Sequence, residues 1–291
     1  MKTFNFERGE TRDNLESERG RDVQIILKFI RHGERGEDGL TDYGRKVTRQ
    51  HAQDLSLKSG KFDAIKAIGS SAGAGMSAFE TANVYAQELS GEKTFNPRIR
   101  NILSHETLKN TLPFNSEEIY KANLPEDFNL LSDQDKVKAT SKAKKAVLNY
   151  AISLDTPEAE ACRKEAAGAF ASLIVHYQKM GKKLKSGSKV LIPAGTHGGN
   201  MEFLLQQTLI RKDNKGSEVV GFKNIDDIGG TFEHSEAYNV DIKTDENGDD
   251  KLLQVSFDNN ARSEADLRLD YNKVKELAQY YEDLHKDDNE N

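Results

Sequence analysis

The chain has 291 residues, of which 36% are hydrophobic and 31% are charged, and its net charge is −6. This length is sufficient for one large α/β domain with a substantial core, or for two smaller domains. The acidic balance argues against nucleic acid as a partner. No stretch is apolar enough to cross a membrane, and the first residues lack the apolar centre of a signal peptide, so we expect a cytoplasmic protein without membrane contact. Cys162 is the only cysteine, which excludes an intrachain disulfide.

The first predicted strand follows a polar N-terminal segment. Residues 1–21 are mostly charged and polar, which predicts a mobile tail ahead of a domain that spans 22–291. Residues 23–30 form an almost continuous apolar run, as in a strand buried on both faces of a parallel sheet. The run ends at an Arg-His-Gly sequence, residues 31–33. Open α/β sheets bind ligands at the carboxyl ends of their strands, so these three residues are candidates for chemistry.

Two further strands are predicted to lead into loops that contain glycine. The strand predicted over 62–69 is followed by a Ser/Gly loop and a helix that begins near a Glu-Thr-Ala sequence. The strand predicted over 189–194 ends in residues 195–199, Gly-Thr-His-Gly-Gly. The right-handed crossover rule puts such strands in one parallel sheet, so we expect His32 and His197 to emerge at the same edge.

The remaining elements are predicted from helical periodicity and turn signals. They are a helix from Thr41 to about residue 57, a short strand over 98–103, a helical insertion over about 108–185 with long helices near 134–153 and 157–184, a hairpin with Asn247-Gly248 at its turn, and a last helix over about 266–285.

Three sequences in this chain resemble the landmarks of the histidine phosphatase (phosphoglycerate-mutase-like) superfamily. They are Arg31-His32-Gly33, Glu80-Thr81-Ala82 and Thr196-His197-Gly198-Gly199, which occur in this order on alternating strands and helices. The resemblance covers about residues 23–257. It implies a three-layer α/β/α sandwich with a mostly parallel central sheet.

The resemblance also implies a reaction, the hydrolysis of a phosphomonoester without a metal or another cofactor. His32 would attack phosphorus and carry a phosphohistidine, while Arg31 and His197 would bind the phosphoryl group. The substrate would be a phosphorylated small molecule or a phosphoprotein. A mutase is less favoured, because the Ser-x-Trp-Asn segment typical of the superfamily's mutases is absent and the chain has no tryptophan. The oligomeric state is unknown from the sequence.

The proton donor for the leaving group is assigned by position only. Glu106 follows the third predicted strand, where the superfamily keeps its acid. Glu34 and Glu80 are rival candidates, because they lie beside the first and second landmarks.

The chain departs from the superfamily pattern at Ser77, where members usually have an arginine. A charge-assisted hydrogen bond contributes about 1.5–3 kcal/mol, so its loss would slow the reaction roughly 10- to 100-fold. One outcome is a weak or inactive phosphate- or phosphoprotein-binding module, and restoring arginine at 77 would then raise the activity of an impaired enzyme. The other outcome is that the backbone over 72–77, with Gly75 and Ser77, cradles the anion. Arg98 or Arg100 are further possible donors.

Two other segments have alternative interpretations. The Gly73-x-Gly75-x-x-Ala78 sequence is typical of dinucleotide-binding loops, but no acidic residue closes a second strand about 20 residues later, so this function is less favoured. Residues 229–236 could reach the rim of a pocket, although a structural connection is the simpler interpretation.

Overall fold

A computed structural model describes residues 19–59, 61–70, 76–90, 98–104, 112–213, 215–262 and 266–286. Seven α-helices and ten strands lie in these ranges. The helices are α1 (Asp42–Ser59), α2 (Ser77–Ser90), α3 (Ser116–Ala122), α4 (Asp133–Ser153), α5 (Pro157–Gly181), α6 (Asn200–Thr208) and α7 (Tyr271–Leu284). The strands are β1 (Gln24–Arg31), β2 (Ala64–Ile65), β3 (Ile68–Gly69), β4 (Arg98–Ile99), β5 (Lys189–Thr196), β6 (Leu209–Lys212), β7 (Glu218–Val220), β8 (Ala237–Lys243), β9 (Gln254–Phe257) and β10 (Arg268–Leu269).

All of these strands join one mixed sheet. Its order is β4-β3-β5-β1-β8-β9-β10-β6-β7, and β2 pairs with β5 beside this path. The pairings from β4 to β1 are parallel, as the sequence predicts. From β1 to β7 the pairings are antiparallel, since the chain returns through hairpins such as the one with Asn247-Gly248 at its turn. The prediction of a mostly parallel sheet therefore describes only the half that contains β5 and β1.

Helices cover both faces of the sheet, and the alternation of side chains along β1 shows this directly. Ile25, Leu27 and Phe29 belong to the core formed with α5, α6 and α7. Ile26 and Ile30 point to the other face, where they join a cluster that includes residues of α1 and α2. A strand buried on both faces explains why its sequence is continuously apolar.

Pro193 divides the strand predicted over 62–69 into β2 and β3. The two short strands keep one register against β5, with Ile65 opposite Leu191 and Ile68 opposite Ala194. The gap between them faces Pro193, which has no N–H to donate to the ladder. The apolar pattern was sufficient to locate the strand, but the break depends on a residue 128 positions later in the chain.

The long helices of the insertion and the last helix lie close to their predicted positions. Helices α4 and α5 agree with the predicted long helices to within three residues. The last helix begins at Tyr271 instead of about 266, because Asp270 caps it and Leu269 pairs with Leu209 in the sheet. Of the predicted tail, residues 1–18 lie outside the described ranges, while Gly20 donates its N–H to the carbonyl of Leu184 at 2.9 Å.

Helix α2 packs directly on the sheet at two glycines. A Cβ atom at Gly195 would lie 1.9 Å from the carbonyl oxygen of Ala78, and one at Gly69 would lie 2.6 Å from the Cα of Phe79. The first turn of α2 is therefore fixed against the carboxyl ends of β3 and β5, the edge at which the predicted chemistry lies.

Candidate active site

His32 and His197 are brought together by the register of two parallel strands. Arg31 is paired with Thr196 at the ends of β1 and β5, and the His32 N–H donates to the Thr196 carbonyl at 2.9 Å. The two imidazole rings follow side by side, with centroids 5.1 Å apart and an angle of 60° between their planes. The prediction that both histidines emerge at one edge of the sheet is thus confirmed.

The hydrogen bond of the His32 ring defines which nitrogen carries the proton. Nδ1 lies 2.8 Å from the carbonyl oxygen of Gly33, which can only accept, so Nδ1 donates. The pKa of His32 is lowered to about 4, mainly by burial and to a smaller extent by His234, Arg31 and Lys144, against the opposing hydrogen bond to Gly33. The ring is therefore neutral near pH 7, with an unprotonated Nε2.

Thr81 fixes the turn that carries His32. Its Oγ1 accepts from the Gly33 N–H at 3.0 Å and donates to the Ser77 carbonyl at 2.8 Å. A Cβ at position 33 would approach Thr48 Oγ1 to 2.9 Å, so glycine is needed for the close approach. The Thr-Ala sequence at the second landmark thus supports the first one structurally.

The segment 229–236 reaches the site, so the simpler interpretation of a structural connection was incomplete. The Arg31 guanidinium donates to the Phe232 carbonyl. The His234 Nδ1 donates to the His32 carbonyl at 3.1 Å, and the rings of these two histidines have centroids 5.3 Å apart. Burial lowers the pKa of His234, and Arg31 adds to this effect. His234 is a third imidazole that the sequence reasoning missed.

A buried ion pair holds this segment in place. The Arg262 Nε lies 2.6 Å from Glu236 Oε1, and both side chains are buried. The same guanidinium donates to the carbonyls of Ile228, Gly230 and Thr231 and lies over the Phe232 ring. One arginine therefore sets the course of the backbone that contacts Arg31 and His32.

A cavity of about 530 Å³ opens at this edge of the sheet. Its basic end is formed by Arg31, His32, Arg35, Lys144 and His197. The other described lining residues are Leu112, Ser116, Glu117, Tyr120, Val147, Leu148, Ala151, Gly198, Gly199, Glu202, Phe203 and Thr231. The insertion helices α3 and α4 thus form one wall.

Glu202 lines the cavity from the first turn of α6, and its side chain is buried. Its carboxylate accepts from the N–H groups of Gly199 at 2.7 Å and Phe232 at 3.3 Å. Burial raises the pKa of Glu202, whereas Arg31 and the two N–H groups lower it. The Phe232 carbonyl accepts from Arg31 and the Phe232 N–H donates to Glu202, so the backbone of this residue links the two side chains.

Lys144 is a further cation at the basic end, one that no motif indicated. It lies on α4, and its exposed side chain lines the cavity. Partial burial lowers the pKa of Lys144, Arg31 lowers it further, and Glu233 opposes them. The helix is tied to the neighbouring segment by Lys145 with Asp226 at 2.5 Å and by Asn149, which accepts from the Ile225 N–H.

Several residues proposed from the sequence do not line the described part of the cavity. Ser77 is fully buried at the start of α2. Glu80 accepts from Arg45 and from the Leu40 N–H, and Glu34 accepts from Thr41, so both carboxylates are bonded away from the cavity. Two of the proposed positions lie outside the described residues. They are Glu106 and the loop over 72–75, which includes Gly75.

Arg98 and Arg100 also stand apart from the basic end. After burial, Arg100 is the largest cause of the lowered pKa of His176 on α5, and neither arginine lines the cavity in the part of the chain that is described. Within the same ranges, no group of three or more His, Cys, Asp or Glu residues is arranged to hold a metal ion. No helix there is both long and apolar enough to cross a membrane.

Comparison with known proteins gives matches among solved structures alone. No family model matches the chain, and no curated protein matches it. A mycobacterial glucosyl-3-phosphoglycerate phosphatase matches 81% of this chain and 97% of its own at 14% identity, with a TM-score of 0.39. The protein histidine phosphatase SixA, complexed with tungstate, matches 81% and 97% at 10% identity, with a TM-score of 0.33. A Klebsiella phytase matches 90% and 95% at 9% identity, with a TM-score of 0.39.

These identities and TM-scores establish neither the family nor the activity. What the fold and the site define is a mixed α/β protein with a basic, histidine-containing cavity at the carboxyl ends of two parallel strands. Any assignment of function must therefore be argued from the residues of that cavity.

Proposed function

We propose that this chain is a phosphomonoester hydrolase of the histidine phosphatase type that acts through a phosphohistidine on His32. The observation that carries the proposal is the 2.8 Å contact between His32 Nδ1 and the Gly33 carbonyl. It leaves a lone pair on Nε2 of a ring whose lowered pKa keeps it neutral. An imidazole that is held in one tautomer and lines a basic cavity is suited to attack an anionic phosphoryl group.

The reaction has two displacement steps. Nε2 forms a bond to phosphorus, the bond from phosphorus to the ester oxygen breaks, and the leaving alcohol takes a proton from an acid. Water then attacks the phosphohistidine and gives a proton to the conjugate base of that acid, the P–N bond breaks, and inorganic phosphate leaves with His32 and the acid restored. No oxidant or other co-reactant is needed, and the charges are supplied by side chains, so we propose that the enzyme works without a metal.

Three groups are proposed to stabilise the transferring phosphoryl oxygens. The Arg31 guanidinium donates to the Phe232 carbonyl, and its Nε has no hydrogen-bond partner among the described residues, so it keeps donors for a ligand. His197 stands beside His32 across the strand pair. Lys144 enters from α4 and can provide the positive charge that Ser77 lacks.

Glu106 remains the proposed acid for the leaving group. The two rivals are bonded elsewhere, Glu34 to Thr41 and Glu80 to Arg45. Glu202 lines the cavity, but each of its oxygens accepts a backbone N–H, which suits a positioning residue better than a proton donor. The placement of Glu106 still depends on its position in the sequence.

The alternative is a catalytically weak or inactive phosphate- or phosphoprotein-binding protein of the same fold. It is favoured by Ser77, which stands where the resemblance would place an arginine and has no exposed surface. Such a protein would keep the basic end of the cavity for binding and would not turn over its ligand.

The test is steady-state hydrolysis of phenyl phosphate by the wild type, His32→Ala and His51→Ala. His51 lies on α1 outside the described cavity lining, so it is the matched control. We expect His32→Ala to lower kcat by about 10³-fold or more, with His51→Ala close to wild type and no loss of wild-type activity in EDTA. Equal rates for the wild type and His32→Ala would refute the proposal that His32 is the nucleophile. If the wild type binds phosphate or vanadate without turnover, the binding protein is the correct alternative.

A further inference from the structure

The cavity has an apolar wall opposite the proposed chemistry. Five of its described lining residues have hydrocarbon side chains. Three of them lie on α4 and two on neighbouring segments, namely Val147, Leu148, Ala151, Leu112 and Phe203. A phosphoryl group at the basic end uses none of them. The wall therefore has to be explained by the other part of the ligand.

One face of α4 connects the two ends of the cavity. Lys144, Val147, Leu148 and Ala151 follow the i, i+3, i+4, i+7 spacing, which puts them on one side of a helix. At a rise of 1.5 Å per residue, Ala151 lies about 10 Å along the axis from Lys144. The helix thus presents a cation at the phosphate end and then an apolar surface, from Val147 to Ala151, about 6 Å long.

The start of α6 and helix α3, which packs against α4, also line the cavity. Phe203, in the first half of α6, is almost fully buried and contributes an aromatic ring. Ser116, Glu117 and Tyr120 of α3 provide polar groups, and Glu117 is already paired with Lys121 at 2.6 Å. Polar groups for a ligand therefore occur on α3 and at the basic end, while Val147, Leu148 and Ala151 of α4 offer no side-chain hydrogen bonds.

We propose that the substrate is a monophosphate ester of an apolar alcohol, an aryl or alkyl phosphate, whose organic group lies along Val147, Leu148 and Ala151. This proposal rests on the proposed function, because it takes the basic end as the phosphate site. A sugar or polyol phosphate would place hydroxyl groups against side chains that cannot pair them, and such a mismatch is disfavoured. An aryl or alkyl group would instead remove apolar surface from water on both sides.

The test compares kcat/KM for 1-naphthyl phosphate, octyl phosphate, glycerol 2-phosphate, glucose 6-phosphate and a phosphoserine peptide. We expect the naphthyl and octyl esters to exceed the others by about 10-fold or more, mainly through lower KM. A wild type that favours the sugar phosphate, the polyol phosphate or the peptide would overturn the proposal.

A pair of isosteric variants assigns the preference to the wall. Val147→Thr puts a hydroxyl into the cavity, and Val137→Thr makes the same change on the exposed face of the same helix. We expect Val147→Thr to reduce the ratio of kcat/KM for naphthyl phosphate over glycerol 2-phosphate by about 10-fold. Val137→Thr should leave that ratio unchanged. Equal ratios in the two variants would contradict the placement.

A binding measurement separates this proposal from the proposed function. If no ester is hydrolysed, calorimetry with benzylphosphonate and methylphosphonate still measures the contribution of the apolar group. An affinity for benzylphosphonate about 10-fold higher or more would support the apolar subsite in a protein that is not an enzyme. Equal affinities would overturn the subsite whether or not the chain is an enzyme.

Discussion

The imidazole rings of His32 and His197 lie with centroids 5.1 Å apart, because the residues that precede them are paired at the ends of β1 and β5. Parallel pairing delivers the next residue of each strand to the same edge. The tautomer of His32 is then set by the Gly33 carbonyl. Geometry at this edge therefore depends on backbone pairing, which a side-chain substitution in the cavity leaves in place.

The first prediction concerns the charge of His32. Burial lowers its pKa to about 4, so the ring should stay neutral through the physiological range. The measurement is an NMR titration of the histidine Cε1–H resonances, with His32→Ala used to assign the signal. A His32 resonance that titrates near the ordinary value of about 6.5 would contradict the described environment.

The acid limb of stability should follow from the same shift. In the unfolded chain His32 binds its proton near pH 6.5, whereas in the folded chain it does so near pH 4. The stabilising contribution is thus present above pH 6.5 and is lost as the pH falls through about 4. Between pH 6.5 and 4, the free energy of unfolding measured in urea should fall more for the wild type than for His32→Ala. Parallel pH profiles would disprove the linkage, since His234 and the other histidines are common to both proteins.

Lys144 should contribute to phosphate binding at the site. A charge-assisted bond of about 1.5–3 kcal/mol predicts that Lys144→Gln lowers kcat/KM for phenyl phosphate roughly 10- to 100-fold. Lys142→Gln is the control, because Lys142 is an exposed lysine two residues away that does not line the basic cavity. Similar rates for both variants would mean that Lys144 does not compensate for Ser77.

The buried pair between Arg262 and Glu236 should stabilise the protein and the site segment together. Arg262→Met leaves a buried carboxylate unpaired, which costs about 3–5 kcal/mol. Arg268→Met removes an arginine that pairs with the exposed Glu218, for which about 0–1 kcal/mol is expected. Urea unfolding measures both changes. If the two substitutions cost the same, the ion pair does not hold the segment.

The contact between β5 and α2 predicts a glycine requirement. Gly195→Ala would force a Cβ against the Ala78 carbonyl and should cost about 1–3 kcal/mol or more. Gly181→Ala meets ordinary contacts at 3.6 Å and is the control. Thermal unfolding that is unchanged in Gly195→Ala would contradict the close packing.

The same packing bears on the expectation that arginine at position 77 raises activity. Ser77 is fully buried, so a larger side chain there should destabilise α2.

Local patterns were sufficient for the strand ends and insufficient for the rest of the site. The apolar run before Arg31 and the strand before His197 are signals within a few residues, so the edge of the sheet could be predicted. His234 lies beside His32 only because β8 pairs antiparallel with β1, and no local pattern carries that pairing. The position of Lys144 at the cavity likewise depends on which face of α4 turns toward it, and the sequence of a polar helix does not predict that face.

The most direct test of the central claim is to trap the phosphoenzyme. Wild type is mixed with ³²P-labelled phenyl phosphate, quenched in base within milliseconds, digested and mapped by mass spectrometry, with His197→Ala and His51→Ala treated alike. We predict label on the peptide that contains His32, stable in base and lost in acid. Hydrolysis by the wild type with no label on His32 at any time, or with label on another residue, would contradict the account.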